Sequence, residues 1–154
     1  MDRRIAPPSD YDELLDRLSE PHPGGQVALF QTRQKAVMFA AALGFNLGER
    51  TPLLRKGSAI RFDIFEKALD DGFVNALAVA ETGELEVLAP ERAEERAMIF
   101  EEYAHTGLRE IQRRCYEDEG DPLQALVGLT ESAQTRESGE VGGLSPGILK
   151  ELLR

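Results

Sequence analysis

The stretch from Thr32 to Phe45 constrains the fold more than any other part of this chain. Its apolar residues surround most of a helical circumference; they are Ala36, Val37, Phe39, Ala40, Ala41, Ala42 and Leu43. A helix that is apolar on nearly all sides is expected to be enclosed by other elements. Thr32 is a suitable N-cap, and Gly44 can adopt the left-handed conformation that ends a helix. The sequence thus predicts a central core helix, and its three consecutive alanines predict a closely approaching neighbour.

Apolar periodicity and turn residues predict the other elements. Further helices are expected over residues 10–19, 62–69, 72–83, 91–117 and 123–134. Extended segments are predicted at Ile60 and over Leu85–Leu88, and an interruption of the long helix is predicted at Gly107. We therefore expect a mostly α fold, a single compact helical domain with one or two very short extended segments.

Composition shifts near both ends predict the domain organisation. A helical domain is expected over residues 1–131, in which residues 1–8 form a mobile arm that ends in Pro7-Pro8. Residues 132–147 are polar and glycine-rich, as in a flexible linker. Residues 148–154 follow as a short amphipathic helix that presents four apolar residues on one side: Ile148, Leu149, Leu152 and Leu153.

A helix of seven residues is too short to be stable alone in water, so the C-terminal segment needs a surface on which to dock. Two interpretations are open. The segment folds back onto its own domain, or it serves as a partner-binding anchor on another subunit, either a different protein or a second copy of this chain.

The composition is that of a globular protein, with 42% hydrophobic and 30% charged residues among 154. No apolar run approaches the length of about 18 residues that a transmembrane helix needs. The N-terminus leads into no apolar stretch of a signal peptide. We therefore expect a cytoplasmic protein with no membrane association.

Charge is distributed unevenly along the chain. Residues 1–68 carry a net charge of +1 and residues 69–154 carry −11, which together give the total of −10. Within residues 33–67 the balance is +4, so this part can contact an anionic partner. The candidate contacts to phosphates of duplex DNA are Arg33, Lys35, Arg50, Arg55, Lys56 and Arg61. An alternative is that these charges pair with the acidic half of the chain.

The chemistry-bearing side chains form no recognisable active site. Glu101, Glu102 and His105 resemble a carboxylate–histidine metal site, but a stable site of this kind uses two histidines or four carboxylates. Cys115 has no local histidine to activate it, which favours a buried thiol. The sequence predicts no catalytic residue, no metal and no cofactor, and therefore a protein that is not an enzyme.

Several blocks of the sequence resemble one known family. They are Phe30 with Lys35–Phe45, Arg50 with Pro52, Lys56 and Ser58, Ile60 with Phe65, Ala80–Leu88, and Ile99–Ala104 followed by Gly107, Leu108 and Ile111. In their order and spacing they resemble the DNA phosphorothioation (dnd) system-associated protein 4 family. The chain has Pro52-Leu53 where the family has Pro-Phe, a departure that affects packing. The resemblance covers about two-thirds of the chain, residues 30–130.

The resemblance implies a role beside the prokaryotic systems that place sulfur in the DNA backbone and restrict unmodified DNA. It implies no catalytic or binding residue. Our leading hypothesis is a non-enzymatic accessory protein, an adaptor or regulator that binds other proteins of this defence system. Direct DNA binding through residues 33–67 is the alternative, and an acidic DNA mimic that inhibits a DNA enzyme is the second alternative.

Overall fold

The core helix predicted from the sequence is present as α2, Arg33–Leu47, in a computed structural model that describes residues 3–21, 28–117 and 121–140. The Thr32 hydroxyl accepts from the backbone N–H of Lys35 at 3.2 Å, so the predicted N-cap is confirmed. The predicted end at Gly44 is wrong. The helix continues to Leu47 and ends at Gly48, which has the left-handed φ of 72°.

Helix α5, Ala93–Gln112, is the closely approaching neighbour of α2. A Cβ added to Gly44 would lie 1.9 Å from the carbonyl oxygen of Tyr103, and one added to Gly107 would lie 1.8 Å from that of Ala40. Both glycines thus remove the side chain where one backbone meets the other. The pairs also show that the helices run in opposite directions. The predicted interruption at Gly107 is wrong, because this glycine serves packing inside an unbroken helix.

Six α-helices account for most of the described residues, and the predicted mostly α fold is confirmed. The four that accompany α2 and α5 are α1 (Asp12–Ser19), α3 (Phe62–Lys67), α4 (Asp71–Thr82) and α6 (Pro122–Glu140). Short 3-10 helices occupy Ser9–Tyr11, Leu85–Leu88 and Pro90–Arg92, and a π-helical turn, Arg113–Glu117, follows α5. None of the helices that the structure describes has the length and apolar character needed to cross a membrane.

The two extended segments are β1, Arg4–Ile5, and β2, Ile60–Arg61, which pair antiparallel with Ile5 opposite Ile60. Ile60 was predicted as extended, and this is confirmed. The extended prediction for Leu85–Leu88 is wrong. In that segment Val87 is buried whereas Leu85 and Leu88 are exposed, and four residues are too few for this pattern to distinguish a strand from a helical turn.

Residues 4–8, predicted as part of a mobile arm over residues 1–8, are held in the structure. Ile5 and Ala6 are buried. The carbonyl oxygen of Pro7 accepts from Gly57 N–H at 2.7 Å, and Ser9 N–H donates to the carbonyl of Arg55 at 3.0 Å. Pro7 and Pro8 have no backbone N–H to donate, but the segment stays attached because the Pro7 carbonyl and the Ser9 N–H form hydrogen bonds to the loop.

The chain divides into two compact units, Met1–Arg113 and Arg114–Arg154. In the second unit α6 extends to Glu140, so the first nine residues of the predicted linker over 132–147 are helical. Ser132 and Thr135 donate their hydroxyls back to carbonyls four residues earlier, which lets polar residues remain in a helix. The remainder of the linker and the C-terminal segment 148–154 lie outside the described residues.

The core of the first unit surrounds two phenylalanines. Phe65 and Phe100 are completely buried and meet edge to face with ring centroids 5.8 Å apart. Phe39 belongs to the apolar surface of α2 but is only half-buried, with Phe30 against its ring. The centre of the core therefore lies nearer α5 than the sequence alone predicted.

Candidate functional site

The loop between α2 and β2, residues 48–59, carries three of the predicted DNA contacts and is tied firmly to α5. Thr51 N–H donates to the carbonyl of Glu102 at 3.2 Å, and the Thr51 and Thr106 hydroxyls are 2.7 Å apart. The Nδ1 atom of His105 lies 3.1 Å from the carbonyl oxygens of Thr51 and Pro52. These contacts hold the first part of the loop, at Thr51 and Pro52, against α5.

Arg50 connects this loop to two helices. Its guanidinium donates to Glu102 and to Glu81, each at 2.8 Å, and Tyr103 donates its hydroxyl to the second oxygen of Glu81. The Tyr103 hydrogen bond, followed by that of Arg50, lowers the pKa of Glu81. Burial and the hydrogen bond to Glu81 raise the pKa of Tyr103 to about 12. The arginine thus acts as a cross-link between α4 and α5, which leaves it little freedom to contact a phosphate.

Other predicted DNA contacts are also engaged with carboxylates. Arg33 pairs with Asp12 and Asp16, Lys35 with Asp70, Lys56 with Glu101, and Arg61 with Asp63. The carboxylates that meet Lys35, Arg50 and Lys56 all lie in the acidic half of the chain, as the alternative interpretation predicted. These ion pairs reduce the positive potential that the sequence alone suggested.

Arg55 differs from the rest of the set. Its side chain is exposed and makes no ion pair with any residue that the structure describes. Leu54 precedes it with 93% of its surface exposed. The structure therefore does not assemble the six basic residues into one patch; it leaves a single free cation beside an exposed apolar residue at the loop tip.

A cleft of about 760 Å³ lies in the first unit. One wall is the N-terminal half of α5 with the residues just before it, and the other is β1 with the loop segment 52–56. The floor is apolar and includes Ile5, Phe62 and Val74. Volumes of this size, with an apolar floor and a few polar groups, are typical of binding sites. We call this feature the β1–α5 cleft.

Glu101 holds the two walls of the β1–α5 cleft together. Its buried carboxylate accepts from Ala6 N–H at 2.8 Å and lies 3.2 Å from the ammonium of Lys56. Burial raises the pKa of Glu101, while the Ala6 hydrogen bond and the charge of Lys56 oppose that rise. One carboxylate therefore secures both the N-terminal segment and the loop against α5.

Arg96 is the other buried charge at the cleft, with only 7% of its surface exposed. Its Nη1 donates to the carbonyls of Val87 and Ala89, at 2.6 and 2.8 Å. Burial, followed by the positive charge of Arg3, lowers the pKa of Arg96. Arg3 is exposed and lines the same cleft. Two guanidinium groups of like charge therefore line the same cleft and influence each other electrostatically.

The residues considered for metal binding or catalysis have structural partners. Glu101 and Glu102 pair with Lys56 and Arg50, and His105 bonds to the loop backbone. Across residues 3–21, 28–117 and 121–140 no three His, Cys, Asp or Glu side chains are grouped to hold a metal ion. The thiol of Cys115 is buried.

The β1–α5 cleft was not predicted from the sequence. The apolar pair Ile5-Ala6 ahead of the prolines was a usable signal, because two apolar residues are unusual in a solvated arm. Arg96 was another, since it lies four residues before Phe100 on the inner face of α5. The predicted partner-binding residues Ile148, Leu149, Leu152 and Leu153 lie outside the described residues.

The chain was compared with curated proteins, solved structures and models of protein families. No curated protein and no solved structure matches it. The model of one family, described as DNA sulphur modification system-associated protein 4, matches residues 4–143. This range contains β1, the loop 48–59, α5 and α6, and it confirms the resemblance noted in the sequence. The chain therefore belongs to the family of DNA sulphur modification system-associated protein 4.

Proposed function

We propose that this protein is a cytoplasmic, non-enzymatic accessory protein, an adaptor or regulator that binds another protein of the DNA sulphur modification system. The β1–α5 cleft carries the proposal, because it combines an apolar floor with charged walls in a volume suited to a protein segment. The family description associates the chain with such a system. The net charge of −10 and the ion pairs of the basic residues favour a protein partner over a nucleic acid.

Copurification from the native host tests this proposal. The full chain is tagged at its own gene, purified in buffer with nuclease, and its companions are identified by mass spectrometry. We expect a protein of the DNA sulphur modification system to copurify at a fixed ratio. Tagged protein that elutes without any component of that system, at native expression level, would contradict the proposal.

Direct DNA binding is a second candidate, and the free Arg55 beside the exposed Leu54 favours it. Arginine neutralises phosphates, and an apolar side chain can wedge between base steps. If this candidate holds, duplex affinity falls steeply with added salt, and Arg55→Ala weakens binding to all sequences similarly. The matched control is Lys67→Ala, which removes one exposed charge outside the loop. Undetectable binding at low salt removes this candidate and leaves the adaptor proposal unaffected.

The C-terminal anchor extends the proposal. Ile148, Leu149, Leu152 and Leu153 form the apolar side of a segment that we assign to partner binding, with a different protein or a second copy as the partner. Truncation after Gly147 should leave the thermal midpoint nearly unchanged and abolish the complex or dimer seen by light scattering. A clear loss of stability with unchanged assembly would contradict this assignment.

A further inference from the structure

The β1–α5 cleft has a length, a floor and a charge arrangement that together specify one kind of occupant. We infer that it binds an extended peptide segment of a partner protein in which an apolar residue lies between an acidic and a basic residue. This inference rests on the proposed function, and it adds the chemistry of the segment that the accessory protein recognises.

The length of the cleft fits a short extended peptide. Its lining on α5 and on the 3-10 helix just before it runs from Glu91 to Glu102, a distance of roughly 16 Å at about 1.5 Å per helical residue. An extended chain advances about 3.3 Å per residue, so about five residues span this wall. The volume of about 760 Å³ is consistent with several side chains rather than one.

The middle of the cleft is apolar and partly uncovered. Val74 is buried beneath it, Phe62 is half-buried, and Met98 has 47% of its surface exposed. Covering this surface with an apolar side chain removes it from water. The unbranched Met98 side chain can adjust to the shape of its partner.

The positive charge of Arg3 and Arg96 is complementary to an acidic residue. Arg96 uses Nη1 for two carbonyls, and the rest of its guanidinium makes no hydrogen bond among the described residues. The Arg3 side chain has no ion pair within the same described part of the chain. A carboxylate placed between these arginines would receive charge-assisted hydrogen bonds and relieve their mutual repulsion.

Negative charge at the start of α5 is complementary to a basic residue. Glu91 and Glu94 are exposed, line the cleft and form no ion pair with the described residues. By contrast, Glu101 is neutralised by Lys56, and Glu102 by Arg50. The acids and the arginines that form no ion pair therefore give the cleft groups of both signs, which would orient a segment bearing both charges.

Selection from a displayed library of random seven-residue peptides tests the inference with the full chain as the target. We expect enriched peptides to contain an apolar residue flanked by an acidic and a basic residue. The affinity of a synthetic selected peptide is then measured by fluorescence anisotropy. Arg3→Glu and the pair Glu91→Lys with Glu94→Lys should each weaken binding by about tenfold or more, since each replaces attraction with repulsion.

Two control variants keep this test specific. Glu86→Lys reverses an exposed acid that does not line the cleft, and it should leave peptide affinity within twofold. Ala97→Trp fills the cleft and should abolish binding. Thermal midpoints verify that each variant is folded, and the exposed charge reversals remain informative if the tryptophan variant does not fold.

Each outcome bears on the inference separately from the proposed function. Failure to enrich any peptide, or enriched peptides whose affinity is unchanged by the Arg3 and Glu91/Glu94 reversals, overturns the inference. A native partner that copurifies equally with wild type and with the Glu91/Glu94 variant also overturns the inference. In that case the proposed accessory role is unaffected. Loss of the native partner from the Glu91/Glu94 variant, with retention by Glu86→Lys, supports both.

Discussion

The α2–α5 helix pair and the β1–α5 cleft share one helix but use opposite kinds of contact. In the pair, backbones touch at Gly44 and Gly107, and the surrounding side chains are apolar and buried. At the cleft, the N-terminal segment and the loop are held by the buried carboxylate of Glu101 and by short backbone pairing. The close packing of the α2–α5 helix pair leaves no space for another molecule. The β1–α5 cleft is an open volume bounded by a few polar contacts, and it has room for a partner.

The largest effect is expected in the core of the helix pair. Phe100→Ala should cost about 3–5 kcal/mol of unfolding free energy, because the ring is completely buried against Phe65 and Phe73. Phe39→Ala is the matched control and should cost less than half as much, since Phe39 is half-buried. Chemical denaturation of both variants measures the difference. Equal losses would show that α2 is enclosed as fully as α5.

A glycine substitution tests the backbone contact itself. Gly107→Ala should cost about 1–3 kcal/mol, at the upper end because the obstructing atom is the backbone oxygen of Ala40. Gly72→Ala is the control, as a Cβ there meets nothing within 4 Å, and it should be neutral or stabilising by about 0.4–1 kcal/mol. Chemical denaturation gives both changes in unfolding free energy from the shift in midpoint, provided that the dependence on denaturant concentration is the same as in wild type. A Gly107→Ala variant as stable as wild type would contradict the close approach.

The pH dependence of stability distinguishes Glu101 from ordinary carboxylates. Because burial raises the pKa of Glu101 in the folded state, its contribution is most favourable below the unfolded value of 4.5 and is lost as pH rises through the folded pKa. Glu101→Gln removes this titration and keeps an oxygen that can accept from Ala6 N–H. The free energy of unfolding of wild type, relative to that of Glu101→Gln, should therefore fall as the pH rises. Chemical denaturation at a series of pH values measures this difference.

The cross-link at Arg50 should show the opposite pH dependence with a smaller effect. Hydrogen bonds from Tyr103 and Arg50 lower the pKa of Glu81, so its contribution is present above the unfolded value of 4.5 and is lost as pH falls through the folded pKa. Tyr103→Phe removes the first of these hydrogen bonds and should reduce the loss of stability on acidification. The same series of denaturation measurements gives the loss of unfolding free energy as the pH falls. An equal loss in wild type and Tyr103→Phe would contradict the role assigned to Tyr103.

The candidate site could be predicted only in part from the sequence. Charge counting found the basic residues between Arg33 and Arg61 but not their partners, since Asp70, Glu81 and Glu101 are distant along the chain. Ion pairing of this kind depends on which helices meet. The β1–α5 cleft has the same origin, because it is bounded by residues near position 5, near position 55 and near position 96.

What the sequence determined by itself was local: the helices α2, α4 and α5, the Thr32 cap and the mostly α class. These follow from apolar periodicity and from residues whose backbone preferences act within one turn. Only the tertiary structure decided that Gly44 and Gly107 are packing positions inside helices and that residues 4–8 are held. A glycine ends a helix or lets two helices touch according to what lies beside it, and that neighbour is distant in the sequence.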